Sequence, residues 1–263
     1  MKHINVAIPT PFDENENLRV ETFEPIIDYL QTNGVASILV SGSTGEQHSM
    51  SIDERIQIIQ YFNRTSFADV ELLFGVAATR LKDAVRLMKA VEDSAFDGVF
   101  LGFPPYIRPT QEQAVFYVDE LAKQTKKEIA LYNNPARTGF DLSPEALLEL
   151  TSKHSHIVGL KEGGDVGRYE NKHLPKHFIM FAAGDVNFPE KIKNGCNGLS
   201  SMVANVYPKE IIHGLKAIQN QEEVDLRALQ QLIEEVTGPQ TIQHIKRHYE
   251  NLGMQVGPCR APL

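Results

Sequence analysis

Lys161 closes an apolar run in the stretch His156-Ile157-Val158-Gly159-Leu160-Lys161-Glu162-Gly163-Gly164. At neutral pH an ordinary lysine amine is uncharged in only about four molecules in ten thousand. An amine drawn into apolar surroundings, with no anion beside it, gives up its proton more readily and becomes a nucleophile toward carbonyl carbon. The chemistry on offer is imine formation. The plain alternative is an ion pair with Glu162 or with a helix C-terminus.

Two further segments carry complementary groups. In Tyr132-Asn133-Asn134-Pro135-Ala136-Arg137-Thr138-Gly139 a phenol ends another apolar run, and a guanidinium with a fork suited to a carboxylate follows it. A turn with a packed tyrosine and a solvated arginine fits the same residues. In Ser41-Gly42-Ser43-Thr44-Gly45-Glu46 two hydroxyls lie between glycines, in a tight loop whose backbone N–H groups can hold an anion. A strand-to-helix connection with no chemistry reads alike. His244 and His248, one helical turn apart, lack the glutamate of a helical zinc motif and a third ligand, so they read as a surface pair. His154 and His156 precede their run rather than follow it. No metal site is expected.

These groups need elements to carry them. Eight apolar runs rich in Val, Ile, Leu and Phe occupy residues 4–8, 37–40, 70–75, 98–101, 128–132, 157–160, 178–182 and 198–202. None alternates strictly, as expected of parallel strands buried on both faces. Helix-like stretches lie between them at 20–31, after Ser51-Ile52-Asp53-Glu54 with its capping-box spacing, and at 81–91, 111–122, 144–150 and 188–193. Ser143-Pro144 reads as an N-cap with proline at the first helical position. Residues 166–175 have the weakest helical pattern. Eight strand–helix repeats predict an α/β fold, a (β/α)8 TIM barrel. A doubly wound sheet is the alternative, but the first turn, Pro9-Thr10-Pro11-Phe12, cannot cradle a dinucleotide. Helical patterns at 209–219, 224–235 and 241–252, with Gly253 as a C-cap, supply the eighth barrel helix and two more packed outside. The expected division is a catalytic barrel over 1–220 and a small C-terminal helical extension over 221–263. The reactive loops of such a barrel follow its strands, and all three segments above do so.

Composition agrees with one large domain. The chain has 263 residues, 42% hydrophobic and 23% charged, which excludes disordered and fibrous classes. A formal charge of −8 argues against a nucleic-acid partner. Cys196 and Cys259 stand in unrelated contexts, so a reducing, cytoplasmic setting is expected. The opening residues do not read as a signal peptide, and no apolar run is long enough to cross a membrane.

Taken in order, these loops resemble the dihydrodipicolinate synthase / N-acetylneuraminate lyase family of class I, Schiff-base aldolases. The matching residues are Gly42-Ser43-Thr44-Gly45-Glu46, Pro104-Pro105-Tyr106-Ile107-Arg108-Pro109, residues 132–139, Gly159-Leu160-Lys161-Glu162, Gly184-Asp185, residues 198–206 and Arg260-Ala261-Pro262. The resemblance implies that pyruvate, or the pyruvate half of a longer 2-keto acid, forms an imine with Lys161, without metal or organic cofactor. It implies Tyr132 as the proton shuttle and Ser43 as the hydroxyl linking it to Tyr106, which reaches in from a neighbouring subunit of a homo-oligomer. The loop of Ser43 and Thr44 would hold the pyruvate carboxylate. Gly184 and Ser200, in further matching segments, carry over as substrate-binding. Arg137 implies a small aldehyde partner bearing its own carboxylate, as in the synthases. Ser43 itself, and the departures at Pro105, Ile107 and Gly163-Gly164-Asp165, leave other 2-keto acid aldolases or dehydratases open. So does a barrel that only binds such acids.

Overall fold

A computed structural model describes residues 1–170 and 172–263. The strands are β1 (Ile4–Ala7), β2 (Ser37–Val40), β3 (Glu71–Val76), β4 (Gly98–Gly102), β5 (Glu128–Asn133), β6 (Ile157–Glu162), β7 (Ile179–Ala183) and β8 (Gly198–Ser201). They pair in chain order, all parallel, and β8 closes onto β1 through Asn5–Ser200 and its neighbours. Closure rules out the doubly wound alternative. Helices α1 (Phe23–Thr32), α2 (Ile52–Phe62), α3 (Leu81–Glu92), α4 (Gln111–Ala122), α5 (Pro135–Thr138), α6 (Pro144–Lys153), α7 (Phe188–Lys193) and α8 (Pro208–Gln219) lie among the strands, followed by α9 (Leu226–Val236) and α10 (Thr241–Asn251). No helix among the described residues is long and apolar enough to cross a membrane.

Local chemistry explains most boundaries. Ser51 and Glu54 form the expected capping box at the start of α2. Thr110 and Gln113 form another at α4, and Ser143 caps α6 with Pro144 behind it. Gly253, at φ +85°, takes the left-handed position just past α10. Three details differ from the pattern reading. The stretch at 20–31 begins as a 3-10 turn, Val20–Thr22, before α1. Residues 135–138, read as a turn, form the short helix α5. Between β6 and β7 only a 3-10 turn, Gly167–Tyr169, is present among the described residues, and part of the expected helical stretch, Asn171, lies outside them.

The core has two compartments. The larger lies between the strands and the helices. The smaller fills the barrel itself with Ala7, Leu39, Leu73, Phe100, Ala130, Ile179 and Phe181. Phe100 and Phe181 meet edge to face, with ring centroids 5.4 Å apart. They fit because their neighbours are small. A Cβ on Gly159 would come 3.1 Å from the Phe181 ring, and one on Gly198 would come 2.7 Å from it.

The last two helices do more than coat the outside. Tyr249 of α10 is buried, and its hydroxyl donates to Asn205 Oδ1 at 2.8 Å. Lys246, one turn earlier, forms a 2.7 Å ion pair with the fully buried Glu46 in the loop after β2. The backbone N–H of Arg260 donates to the same carboxylate at 2.9 Å. The extension therefore supports the strand-end loops, because among the described residues it supplies the one cation, Lys246, and the backbone donor that the buried Glu46 carboxylate uses.

Candidate active site

Strand register brings the central pair together. Tyr132 of β5 lies opposite Lys161 of β6, with Gly102 of β4 beyond it. Side chains alternate along a strand, so the interior row of β5 runs Ala130, Tyr132 and that of β6 runs Gly159, Lys161. The Lys161 ammonium sits 4.6 Å from the centroid of the Tyr132 ring and 5.9 Å from that of Phe100. Its residue is 8% exposed, and its amine makes no hydrogen bond or ion pair with any described residue. Burial, the largest influence, holds the Lys161 ammonium below the ordinary lysine range. Tyr132 opposes that shift, Arg137 adds to it, and Asp185 opposes it more weakly.

Both nearby carboxylates are committed elsewhere. Glu162, the suspected ion-pair partner, faces the other way along the strand. It accepts from Asn133 Nδ2 at 3.0 Å, from the Gly164 N–H at 2.6 Å, and from the Tyr169 hydroxyl and Arg168 guanidinium, both at 2.9 Å. Asp185 is fully buried and accepts from Ser201 at 2.5 Å and from the N–H groups of Met202 and Val203 at 2.8 and 3.0 Å. Lys161 is left without an anion in contact, which is the condition for a nucleophilic amine.

A cavity of about 420 Å³ opens above this layer, lined among others by Ser43, Tyr132, Asn134, Arg137, Arg55 and Pro105. Its size suits a small-molecule site. The larger hollows, about 750 Å³ beside the β6–β7 connection and 960 Å³ beside His3 and Asn197, include none of Ser43, Tyr132 and Arg137, whereas the smaller cavity is lined by all three and reaches Lys161 through the Tyr132 ring beside it. For Tyr132, burial is the largest influence and pushes the phenol up. Lys161, Asn134, Arg137 and Ser43 together outweigh it and bring the phenol below the usual tyrosine value.

The sequence-derived candidates separate into three groups. Lys161, Tyr132, Ser43 and Arg137 converge. Thr44 is buried in the loop beside Ser43. Gly184, at φ +81°, and Ser200 lie at the ends of β7 and β8, where the Gly184 N–H donates to the Ser200 carbonyl at 3.1 Å. The Ser200 hydroxyl is committed to Asn5 at 2.7 Å. Tyr106 stands apart. It is 94% exposed, at φ +71°, and does not line its own chain's cavity. Two residues were overlooked in the sequence. Asn134 caps α5 and contacts the Tyr132 hydroxyl, and the Asn-Pro pair at 134–135 was a legible N-cap signal. Arg55, fully buried, donates to Ser41 Oγ and to the carbonyls of Gly75 and Ala77, and burial lowers it to about 10. No sequence pattern marked it.

A closed parallel barrel with an unpaired lysine and a tyrosine side by side at the strand ends defines a lyase of the class I aldolase type. The comparisons make the assignment specific. The Dihydrodipicolinate synthetase family model matches residues 1–263, and the chain belongs to that family. It is 26% identical to a 4-hydroxy-tetrahydrodipicolinate synthase of Bacillus subtilis, over 99% of this chain and 92% of the relative. The structure of the synthase of that name from Methylacidiphilum fumariolicum is similar at a TM-score of 0.89 and 26% identity, covering 100% of this chain and 90% of the other. A sialic acid aldolase from Ruminococcus gnavus shares the fold at a TM-score of 0.89 and 19% identity, covering 100% of this chain and 90% of that one.

Proposed function

We propose that this protein joins pyruvate to a small carboxylate-bearing aldehyde through an imine on Lys161, and specifically that it acts as a 4-hydroxy-tetrahydrodipicolinate synthase using aspartate semialdehyde. The observation that carries the reading is the placement of Lys161, buried without an anion partner against Tyr132, below a cavity that Arg137 enters.

The neutral amine of Lys161 attacks the keto carbon of pyruvate, and loss of water leaves the imine. Tyr132 supplies the proton that the departing hydroxyl needs and takes one back as the methyl group is converted to the enamine carbon nucleophile. That carbon attacks the aldehyde, whose oxygen takes a proton to become the hydroxyl. The amine of the aspartate semialdehyde half then adds to the imine carbon and displaces the Lys161 amine, which closes the ring and restores the lysine. Ser43 and Thr44 hold the pyruvate carboxylate, with Gly184 and Ser200 at the neighbouring strand ends. Arg137 meets the carboxylate of the second substrate, a local cation that a chain of net charge −8 needs at this point. Tyr106, in this reading, completes the proton path from a second copy of the chain.

The test is a turnover panel of pyruvate with aspartate semialdehyde, N-acetylmannosamine and small sugar aldehydes, run in both directions. Turnover with aspartate semialdehyde exceeding the other aldehydes by at least a hundredfold in kcat/KM is expected. Preference for a neutral sugar aldehyde would overturn the synthase assignment while leaving the imine mechanism intact.

A further inference from the structure

Asn134 sits between the two groups given the most chemistry above. It follows β5 and N-caps α5, where its Oδ1 accepts the backbone N–H of Arg137 at 3.2 Å. Only the oxygen end of an amide can accept that bond, so the NH2 end must face the other way. There Nδ2 lies 2.7 Å from the Tyr132 hydroxyl oxygen. Nδ2 is a donor only, which sets the polarity of the contact: the phenol oxygen accepts, and its own proton must point elsewhere, to the cavity or to Ser43. A second feature shapes this contact. A Cβ at Gly163 would stand 3.2 Å from Asn134 Cγ, so the glycine after Glu162 leaves the amide its room.

We propose that Asn134 is a positioning residue for proton transfer: its amide donates to Tyr132 so that the phenol can give up its proton and hold the resulting oxyanion, while its carbonyl end holds the helix of Arg137. The proposal rests on the reading of Tyr132 as the proton shuttle. A hydrogen bond donated to an oxyanion strengthens when the charge forms, which is what a group that loses and regains a proton in each cycle needs. The other charged and titratable groups facing Tyr132 are Lys161 from β6 and Arg137 from α5. The β2 loop adds the Ser43 hydroxyl, and β4 contributes only Gly102. The Asp185 charge reaches Lys161 from the end of β7. Asn134 is therefore, with the Ser43 hydroxyl, one of two uncharged groups hydrogen-bonded to Tyr132 in a set otherwise dominated by two cations, and its removal leaves those cations and Ser43 in place.

Asn134→Ser and Asn134→Asp both keep a side-chain oxygen for the N-cap. Asp carries no donor, and the shorter Ser hydroxyl, held on the Arg137 N–H, stops about one bond length short of where the amide NH2 meets Tyr132. A loss of fold or of α5 would thus be separated from a loss of the hydrogen bond. The direct readout is the titration of Tyr132 by NMR of protein labelled at the tyrosine ring carbon, assigned by the resonance missing in Tyr132→Phe. Asn134→Ser is expected to move its midpoint upward by about one pH unit, the size that a hydrogen bond to a charged group carries. Asn134→Asp is expected to move it further, because the new carboxylate opposes the phenolate. The functional readout is exchange of pyruvate methyl protons in D2O, which requires no aldehyde. Both variants should slow it about tenfold at neutral pH, with the pH–rate profile displaced upward and borohydride still trapping pyruvate on Lys161. An unchanged Tyr132 midpoint in Asn134→Ser overturns the proposal whatever the substrate is. A shifted midpoint with no pyruvate exchange in the wild-type protein overturns the reading of the site instead, and with it any role of the hydrogen bond in catalysis.

Discussion

At the scale of single residues, Lys161 holds an ammonium where water is nearly excluded and where aromatic rings are its contacts. Because burial holds its proton affinity below the ordinary value of 10.5, the folded protein releases that proton at a lower pH than the unfolded chain does. Below the folded-state pKa both states are charged and the buried charge costs the fold. Between the two pKa values the unfolded chain binds more protons, so this lysine's contribution to stability improves as pH rises. Lys161→Met should therefore raise the melting temperature, by more at pH 7 than at pH 10, and differential scanning calorimetry at the two values checks it. Lys161→Ala should also abolish the pyruvyl mass that borohydride adds to the protein. Label on another lysine would contradict the imine assignment. Arg137→Ala should spare that label and lower kcat/KM for the carboxylate-bearing aldehyde about ten- to hundredfold, the value of a hydrogen bond to a charged group. Loss of pyruvate trapping instead would move Arg137 to the first substrate.

At the scale of elements, the loop after β2 is under visible constraint. Ser41 and Glu46 both adopt left-handed conformations, at φ +55° and +53°, without being glycines. Each is held by a buried cation. The Arg55 guanidinium fastens Ser41 and Gln47 to the end of β3, through Gly75 and Ala77. Lys246 and the Arg260 backbone fasten Glu46. The hydroxyls of Ser43 and Thr44 lie between these two anchors. Glu46→Ala leaves the Lys246 ammonium buried and unpaired and should cost about 3–5 kcal/mol, read from urea unfolding. Ser51→Ala, which removes only the cap of α2, should cost about 1 kcal/mol. Equal effects of the two would mean that the buried pair is not holding the loop.

At the scale of the whole molecule, the barrel supplies one half of the proposed proton path and exposes the other. Tyr106 projects from a loop stiffened by Pro104, Pro105 and Pro109, away from its own cavity, so a relay through its phenol requires a second copy of the chain. Lys161→Ala and Tyr106→Phe are each expected to be inactive or slowed about 10²–10⁴-fold. Mixed under conditions that exchange subunits, they should regain activity, since one site in a mixed dimer then holds both native residues. Exchange demonstrated by native mass spectrometry with no recovery would assign Tyr106 no part in the neighbouring site.

The alternation of apolar runs and amphipathic stretches determined the barrel, because eight buried parallel strands and their crossovers leave a local signature in each segment. The positions of Lys161, Tyr132 and the hydroxyl loop were legible for the same reason: each ends a run, and strand ends are where a barrel opens. The two helices outside the barrel were legible as a C-terminal extension, but nothing local in Thr241–Asn251 reveals that Lys246 reaches Glu46, 200 residues earlier in the chain. The indifference of Glu162 to Lys161 also required the fold. Adjacent residues on a strand point to opposite faces, and the four donors that satisfy Glu162 come from β5, the following loop and a 3-10 turn. Which end of the Asn134 amide meets Tyr132 depended on the cap it makes to α5, a helix too short to announce itself by periodicity. Side-chain type and spacing are local properties and travel with the sequence. Whether a charge is paired, and by which partner, depends on what the closed barrel brings within about 3 Å, and only the tertiary structure decides that.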